Sequence, residues 1–116
     1  MVRLTELEGD ILGEMAWDSH LVGELIGFIR AANPLATNYE VFRTLRDLLA
    51  TWIERGWLAL VDKPSGRAGL SSIGDLLALL DREGPEVVSE ESEVELPEVT
   101  LTRQAFVDVE WLHGAV

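Results

Sequence analysis

Apolar residues recur at steps of three and four through the first half of the chain, and this spacing predicts three successive amphipathic helices. The apolar stripes run through residues 4–16, 21–29 and 41–53. Side chains at these steps share one face of a helix, so we expect the three stripes to meet in a common core. The positions expected to be buried together are Leu12, Leu25, Leu45, Leu49, Trp52 and Ile53.

Polar residues and glycine predict where the first and third helices begin and end. Thr5 with Glu8, and Thr37 with Glu40, match the capping box, in which a threonine and a glutamate three residues later satisfy each other's free backbone amides. Gly56 follows the third stripe at the position where helix ends favour a left-handed backbone. We therefore expect helix starts at both threonines and a helix end at Gly56.

The second helix is bounded by different signals. Asp18 or Ser19 is its expected N-cap, because short polar side chains accept hydrogen bonds from the first amides of a helix. Asn33-Pro34 is expected to stop it, because the residue before a proline is pushed out of helical geometry.

The second half of the chain predicts two short strands separated by a long insert. Residues 57–61 are apolar and lie between a glycine and a turn, and residues 99–101 have a similar character. The insert, residues 64–98, carries a short fourth helix with Ser72 as its expected N-cap, followed by an acidic loop with some strand character. Thr102 is expected to cap a last helix that presents Phe106, Val107, Val109, Trp111 and Leu112.

The order of these elements, together with three segments of sequence, resembles PadR-like winged-helix regulators. Residues 4–13 (LTELEGDILG) are similar to their first helix, residues 45–60, which include IERGWL, to their third helix running into the wing, and residues 99–105 (VTLTRQA) to the end of the wing. The resemblance covers about two-thirds of the chain. It implies a mainly α fold with a small β-wing, a winged helix-turn-helix. That fold has a three-helix core, two strands, an extra helix in the wing and a C-terminal helix. The length of 116 residues and the apolar content of 47% favour a single domain formed by residues 1–116.

The resemblance also implies one functional alternative, a DNA-binding transcriptional regulator that dimerises through its terminal helices. The side chains expected to contact DNA in that case are Tyr39, Arg43, Arg46, Lys63 and Arg67. The two arginines of the third helix have a second interpretation, in which they pair with Glu40, Asp47 or neighbouring acids. The chain departs from the family at Ala105, where glycine is common, and in the roughly 35 residues between its strands. A long acidic wing would lie where DNA phosphates should sit.

Charge is unevenly distributed along the chain. The net charge is −12, from 9 basic and 21 acidic residues, and it divides into −5 over residues 1–24, +2 over residues 25–74 and −9 over residues 75–116. Negative charge repels nucleic acid and anionic lipid, so DNA binding is disfavoured and a basic protein is the favoured partner.

Six glutamates lie within residues 86–98, and they admit two interpretations. They form either a solvated loop that keeps the protein soluble or an electrostatic surface for a basic partner. The residues expected to bind such a partner are Glu90, Glu91, Glu93 and Glu95.

Other chemistry is sparse. The chain has no cysteine, and its two histidines, His20 and His113, lie at opposite ends with no metal-binding spacing, so we expect no metal and no cofactor. No motif supplies a nucleophile, a base or an oxyanion site, so we expect no catalytic residues. The absence of an apolar leader or spanning segment favours a cytoplasmic protein with no membrane association.

The four tryptophans give a further expectation. We expect Trp17, Trp52, Trp57 and Trp111 to lie in the core or at its edge, and any exposed one to mark an interface, because tryptophan is enriched at binding hot spots.

These observations favour a non-catalytic protein-binding module, monomeric or homodimeric, with an acidic face. A bacterial immunity protein that neutralises a basic toxin such as a nuclease is its concrete form. The winged-helix regulator is the alternative.

Overall fold

A computed structural model describes residues 4–61 and 70–109. Within these ranges the chain is mainly helical, with one small antiparallel sheet of strand order β1–β3–β2. In chain order the elements are α1 (Glu6–Met15), β1 (His20–Leu21), α2 (Val22–Ala32), α3 (Asn38–Glu54), β2 (Leu58–Leu60), α4 (Gly74–Glu83), a 3₁₀ helix (Gly84–Val88), β3 (Glu98–Leu101) and α5 (Arg103–Asp108).

Both predicted capping boxes are confirmed. At the start of α1 the Thr5 hydroxyl accepts the Glu8 N–H at 3.1 Å, and the Glu8 carboxylate accepts the Thr5 N–H at 3.2 Å. Thr37 and Glu40 make the same pair of bonds at the start of α3, both at 3.1 Å. The predicted end of α3 is confirmed as well, because Gly56 follows its last turn with a φ of 76°.

The predicted cap of α2 is wrong. The Asp18 carboxylate accepts the N–H of Ser19 at 2.8 Å, and the Ser19 hydroxyl donates to the carboxylate of Glu98 on β3. The next two residues form β1, which pairs with β3, so the helix begins later than the pattern suggested. The Glu24 carboxylate satisfies the amide of Leu21 at 3.1 Å.

The start of α4 also differs from the prediction. Ser72 does not cap it; the Asp75 carboxylate instead accepts the N–H groups of Ser71 and Ser72, both at 3.1 Å. Thr102 precedes α5 as predicted, yet its hydroxyl donates to the carbonyl of Gly56 and makes no cap bond. That bond holds the start of α5 against the end of α3.

The sheet has three strands where the sequence predicted two. The β2–β3 pair is present, with Leu58 opposite Leu101 and Leu60 opposite Val99. The additional strand, β1, is two residues long and pairs with β3 on its other side, placing His20 opposite Val99. Strand β3 is therefore the centre of the sheet.

The predicted core is confirmed with one exception. Leu12, Leu25, Leu45, Leu49 and Trp52 are all buried in one cluster, whereas Ile53 is half-buried at its margin. The insert adds side chains of its own to the same cluster, and its 3₁₀ helix and α4 both pack against α3. Those core residues of the insert are Leu76, Leu79, Leu80, Val87 and Val88.

Two tryptophans tie distant elements together through carboxylates. The Trp52 indole N–H donates to the Glu8 carboxylate at 2.9 Å, which joins α3 to the first turn of α1. The Trp57 indole N–H donates to the Asp108 carboxylate at 2.8 Å, which joins the start of β2 to the end of α5. Both rings are fully buried, as predicted.

Trp17 contradicts the expectation of a buried side chain, because 76% of its surface is exposed. It follows the last turn of α1, where the buried face has already ended at Met15. Trp111 lies outside the described residues.

Candidate functional site

The acidic segment, residues 89–97, follows the 3₁₀ helix and leads into β3. The acidic segment is attached to α2 at two places: at Val88, the residue before the segment begins, and at Pro97, the last residue of the segment. The Arg30 guanidinium donates to the carbonyl of Val88 at 2.7 Å, and the N–H of Val22 donates to the carbonyl of Pro97 at 2.9 Å. The segment therefore runs antiparallel to α2 and is fixed to the folded body.

Serine side chains organise the backbone of the acidic segment. The Ser89 hydroxyl accepts the N–H of Glu91, and the Ser92 hydroxyl accepts the N–H of Val94, both at 3.2 Å. A further backbone bond from the Ser92 N–H to the Ser89 carbonyl closes a turn at 3.0 Å. The strand character expected for this stretch is wrong: β3 begins at Glu98, and the residues before it form turns and loop.

The four glutamates expected to bind a partner, Glu90, Glu91, Glu93 and Glu95, are all exposed. Within residues 4–61 and 70–109 their carboxylates accept no hydrogen bond and pair with no cation. Four negative charges thus lie within six residues on a fixed segment, and none of them has a hydrogen-bond or ion-pair partner among residues 4–61 and 70–109. Such a cluster produces a strong local potential that attracts cations and repels anions.

The side chains expected to contact DNA fall into three groups. Tyr39 and Arg43 lie together on the exposed side of α3, with the Arg43 guanidinium 6.0 Å from the centre of the Tyr39 ring. Arg46 points at the insert, where its Nε and Nη2 donate to the two carboxylate oxygens of Asp81 at 2.6 and 3.0 Å. Lys63 and Arg67 lie outside the described residues.

The Arg46–Asp81 pair joins α3 to the insert. The second interpretation of Arg46, pairing with an acid, holds, although the acid is Asp81 and neither Glu40 nor Asp47. The hydrogen bonds from Arg46 lower the pKa of the Asp81 carboxyl, and the same contact raises the pKa of Arg46. Arg46 is thereby occupied by a bidentate partner from its own chain.

The exposed side of α3 is predominantly acidic. Glu40, Asp47 and Glu54 recur every seven residues, which is close to two turns of helix, and all three are exposed. Arg43 lies on the same side. Three carboxylates against one free guanidinium give this face a charge that opposes the approach of phosphates.

A groove lies between α2 and the acidic segment, and sequence reasoning missed it. It has a volume of about 450 Å³ and is lined by residues of both elements, including Gly23, Gly27, Glu90 and Glu95. The signal that points to it is the pair of glycines four residues apart, which share one face of α2. The facing wall was not predictable, because it comes from residues 87–96, which lie far along the chain from α2.

Trp17 borders a second groove, of about 610 Å³, on the side of the sheet near α5. Leu60 and Phe106 line it as well. An exposed tryptophan is typical of a protein interface, and we expected any tryptophan left outside the core to mark one.

The remaining polar groups offer little chemistry. His20 lies 5.9 Å from the ring of Phe28, and its Nδ1 is 3.1 Å from the carbonyl of Asp18. Across the described ranges no group of three or more histidine, cysteine, aspartate or glutamate side chains is arranged to hold a metal ion. In the same ranges no helix has the length and apolar character needed to cross a membrane. His113 lies outside them.

No family model, no curated protein and no solved structure matches the chain.

Proposed function

We propose that this chain is a non-catalytic protein-binding module on a winged-helix scaffold, and that its acidic segment engages a basic protein. The observation that carries the proposal is the exposure of Glu90, Glu91, Glu93 and Glu95 on a segment that is fixed to α2. A bacterial immunity protein that neutralises a basic toxin, such as a nuclease, is the concrete form of the proposal.

The order and pairing of the elements support the winged-helix scaffold. Three helices precede an antiparallel strand pair, and α3 lies next to that pair. In a winged helix the strand pair and its connection form the wing beside the third helix. Here the connection holds α4 and the 3₁₀ helix, which pack on α3, and the acidic segment, which is attached to α2.

The charge on α3 favours a protein partner over DNA. A recognition helix needs cations that are free to meet phosphates and base edges. On α3 the Arg46 side chain is bound to Asp81, and Arg43 shares its face with Glu40 and Asp47. DNA phosphates approaching this face would meet more negative than positive charge.

The acidic segment is suited to electrostatic steering. Opposite charges on two partners accelerate diffusional encounter and fix their relative orientation. Because the segment is held to α2 next to Val88 and at Pro97, its charges have a defined position on the surface and lose little freedom on binding.

Affinity capture from the source cell tests the proposal. The tagged wild-type chain is compared with a variant in which Glu90, Glu91, Glu93 and Glu95 are all glutamine. The matched control carries the same charge change at exposed acids elsewhere: Glu6→Gln, Asp10→Asn, Glu14→Gln and Glu54→Gln. We expect the wild type and the control to recover the same basic protein, encoded next to this chain's gene, and the first variant to lose it. Recovery of an acidic protein, or equal recovery by all three baits, would overturn the proposal.

One observation favours the alternative function, a DNA-binding regulator. Tyr39 and Arg43 are exposed next to each other near the start of α3, and both side-chain types contact nucleic acid. Our proposal predicts that random double-stranded DNA binds more weakly than about 1 mM at physiological salt, because clustered free cations are lacking. Fluorescence anisotropy with a labelled random duplex measures this, and micromolar binding would favour the regulator instead.

A further inference from the structure

The groove between α2 and the acidic segment contains space that the fold does not require. Gly23 and Gly27 lie on the exposed face of α2, and a Cβ placed on either would meet no atom within 4 Å. A glycine inside a helix costs about 1 kcal/mol relative to alanine, so both residues weaken α2 without relieving any contact in the chain. Their effect is to leave a shallow, open floor in the groove.

The groove combines apolar walls with an acidic rim. Ile26 is buried in its base, and Val94 and Leu96 are half-buried along the facing wall. Glu90 and Glu95 border it and are exposed. An apolar channel with carboxylates at its rim is complementary to lysine and arginine, whose long methylene stems pack on apolar surface while the charged end stays at a polar edge.

The two ends of the groove differ in charge. Arg30 lies at the end near Val88 and is held there by hydrogen bonds of 2.7 Å to the Asn38 side chain and to the Val88 carbonyl. Neither of these acceptors is a carboxylate, but Glu90 and Glu91 line a neighbouring cavity together with Arg30, so that end carries charges of both signs. The opposite end lies near Pro97, about 12 Å away along α2, and Glu95 is two residues from it. A cationic side chain is therefore favoured at the Glu95 end.

We propose that this groove receives an extended, arginine- or lysine-bearing segment of the basic partner, with the stem of one basic side chain over Gly23 and Gly27 and its charge at Glu95. This inference rests on the proposed function and adds the place and the chemistry of the contact. A flat acidic surface would attract any cation equally. The groove adds specificity through its shape, because it admits only a basic segment that fits between its walls.

A substitution that fills the groove separates shape from charge. Gly27→Leu adds bulk to the open floor, keeps every carboxylate and raises the helix propensity of α2. Ala31→Leu is the matched control, since it adds bulk at an exposed position of the same helix that does not line the groove. Thermal unfolding of both variants verifies that the fold is retained.

The probe is a short peptide in which arginine alternates with alanine, and its neutral counterpart carries citrulline in place of arginine. Amide shifts of the ¹⁵N-labelled protein are followed during titration to about 1 mM peptide. We expect the Gly23 and Gly27 signals to move with the arginine peptide and to stay in place with the citrulline peptide. We also expect Gly27→Leu to weaken binding about tenfold, because the added side chain excludes the occupant, and Ala31→Leu to bind as the wild type does.

The outcomes distinguish this inference from the proposed function. If the four-glutamine variant loses both the captured partner and the peptide while Gly27→Leu keeps both, the groove inference is wrong and the acidic surface alone binds. If the arginine peptide leaves the signals of Gly23 and Gly27 unmoved, the groove inference is likewise overturned. If the four-glutamine variant keeps the captured partner, the proposed function fails.

Discussion

Two carboxylates of the helical body, those of Glu8 and Asp108, differ from the four glutamates of the acidic segment in what surrounds them. In the body, Glu8 accepts hydrogen bonds from the Thr5 amide and the Trp52 indole, and Asp108 accepts them from Trp57 and Gln104. In the acidic segment, residues 89–97, four glutamates are exposed and accept nothing from the described part of the chain. Glu8 and Asp108 hold elements together, whereas the four glutamates of the segment make no such contact within the described residues.

The difference shows that the effect of a carboxylate on stability depends on whether it is buried or solvated. A carboxylate removed from water is costly unless hydrogen bonds replace its hydration, so Glu8 is acceptable in the core because Trp52 and the cap supply them. A carboxylate left in water costs little and stabilises little. The four exposed glutamates of the acidic segment therefore contribute little to the stability of the fold.

The largest expected effect comes from the core that both regions share. Leu49 is fully buried on α3, so Leu49→Ala removes packed methyl groups and leaves a cavity. We expect a loss of about 2–5 kcal/mol in the free energy of unfolding, measured by urea denaturation. A loss well below this range would contradict the placement of Leu49 at the centre of the core.

A body carboxylate gives the next effect. Glu8→Ala removes the acceptor of the buried Trp52 indole N–H and half of the capping box. The expected loss is about 1–3 kcal/mol in the free energy of unfolding. Glu6→Ala in the same helical turn is the control, because Glu6 is exposed and its side chain makes no hydrogen bond within the described residues. If Glu8→Ala and Glu6→Ala lowered the free energy of unfolding equally, the hydrogen bonds of Glu8 would have no special role in stability.

A smaller effect on stability is expected at Asp108, the carboxylate that accepts the hydrogen bond of Trp57, and it depends on pH. The Trp57 indole N–H, followed by the Gln104 amide, lowers the pKa of the Asp108 carboxyl in the folded state. A lowered folded pKa means that the unfolded state binds protons more readily, so this stabilisation is complete above the ordinary carboxyl pKa of about 3.9 and is lost as the pH falls through the folded value.

Asp108→Asn tests that linkage while keeping a side-chain oxygen for the indole. We expect the difference in unfolding free energy between wild type and variant to be widest near neutral pH and to narrow below about pH 4. Asp10→Asn, at an exposed carboxylate of α1, is the control. A wild-type-to-variant difference that stays constant across the acid range would contradict the role assigned to Asp108.

The smallest effect on stability is expected in the acidic segment. Changing Glu90, Glu91, Glu93 and Glu95 to glutamine removes charges that pair with nothing in the described chain. We expect the free energy of unfolding to change by less than about 0.5 kcal/mol per position, measured by the same urea denaturation. A large loss of unfolding free energy would mean that these glutamates make stabilising contacts in the folded protein, as Glu8 and Asp108 do.

Local signals in the sequence predicted much of the fold. Both capping boxes are visible because threonine and glutamate lie three residues apart, and the end of α3 is marked by Gly56 itself. The core positions follow from helical periodicity, and the exposure of the four glutamates follows from their charge. These features need no knowledge of distant segments.

Contacts between distant segments were not predictable. β1 is two residues long and exists through its pairing with β3, so Asp18 and Ser19 looked like caps. Arg46 and Asp81 are 35 positions apart, and the sequence offered nearer acids as partners. The groove needs residues 23–30 and 87–96 to face each other, an arrangement that depends on how the insert folds back.

The association rate with the basic partner tests the central claim most directly. Stopped-flow mixing compares wild type, the four-glutamine variant and the matched variant altered at Glu6, Asp10, Glu14 and Glu54 over a salt series. Steering charges act on association and are screened over about 8 Å at physiological ionic strength. We predict that the four-glutamine variant associates several-fold more slowly at low salt, that the difference vanishes at high salt, and that the matched variant stays close to the wild type. Equal association rates for all three proteins at every salt concentration would contradict the account and leave the acidic segment as a solvated loop.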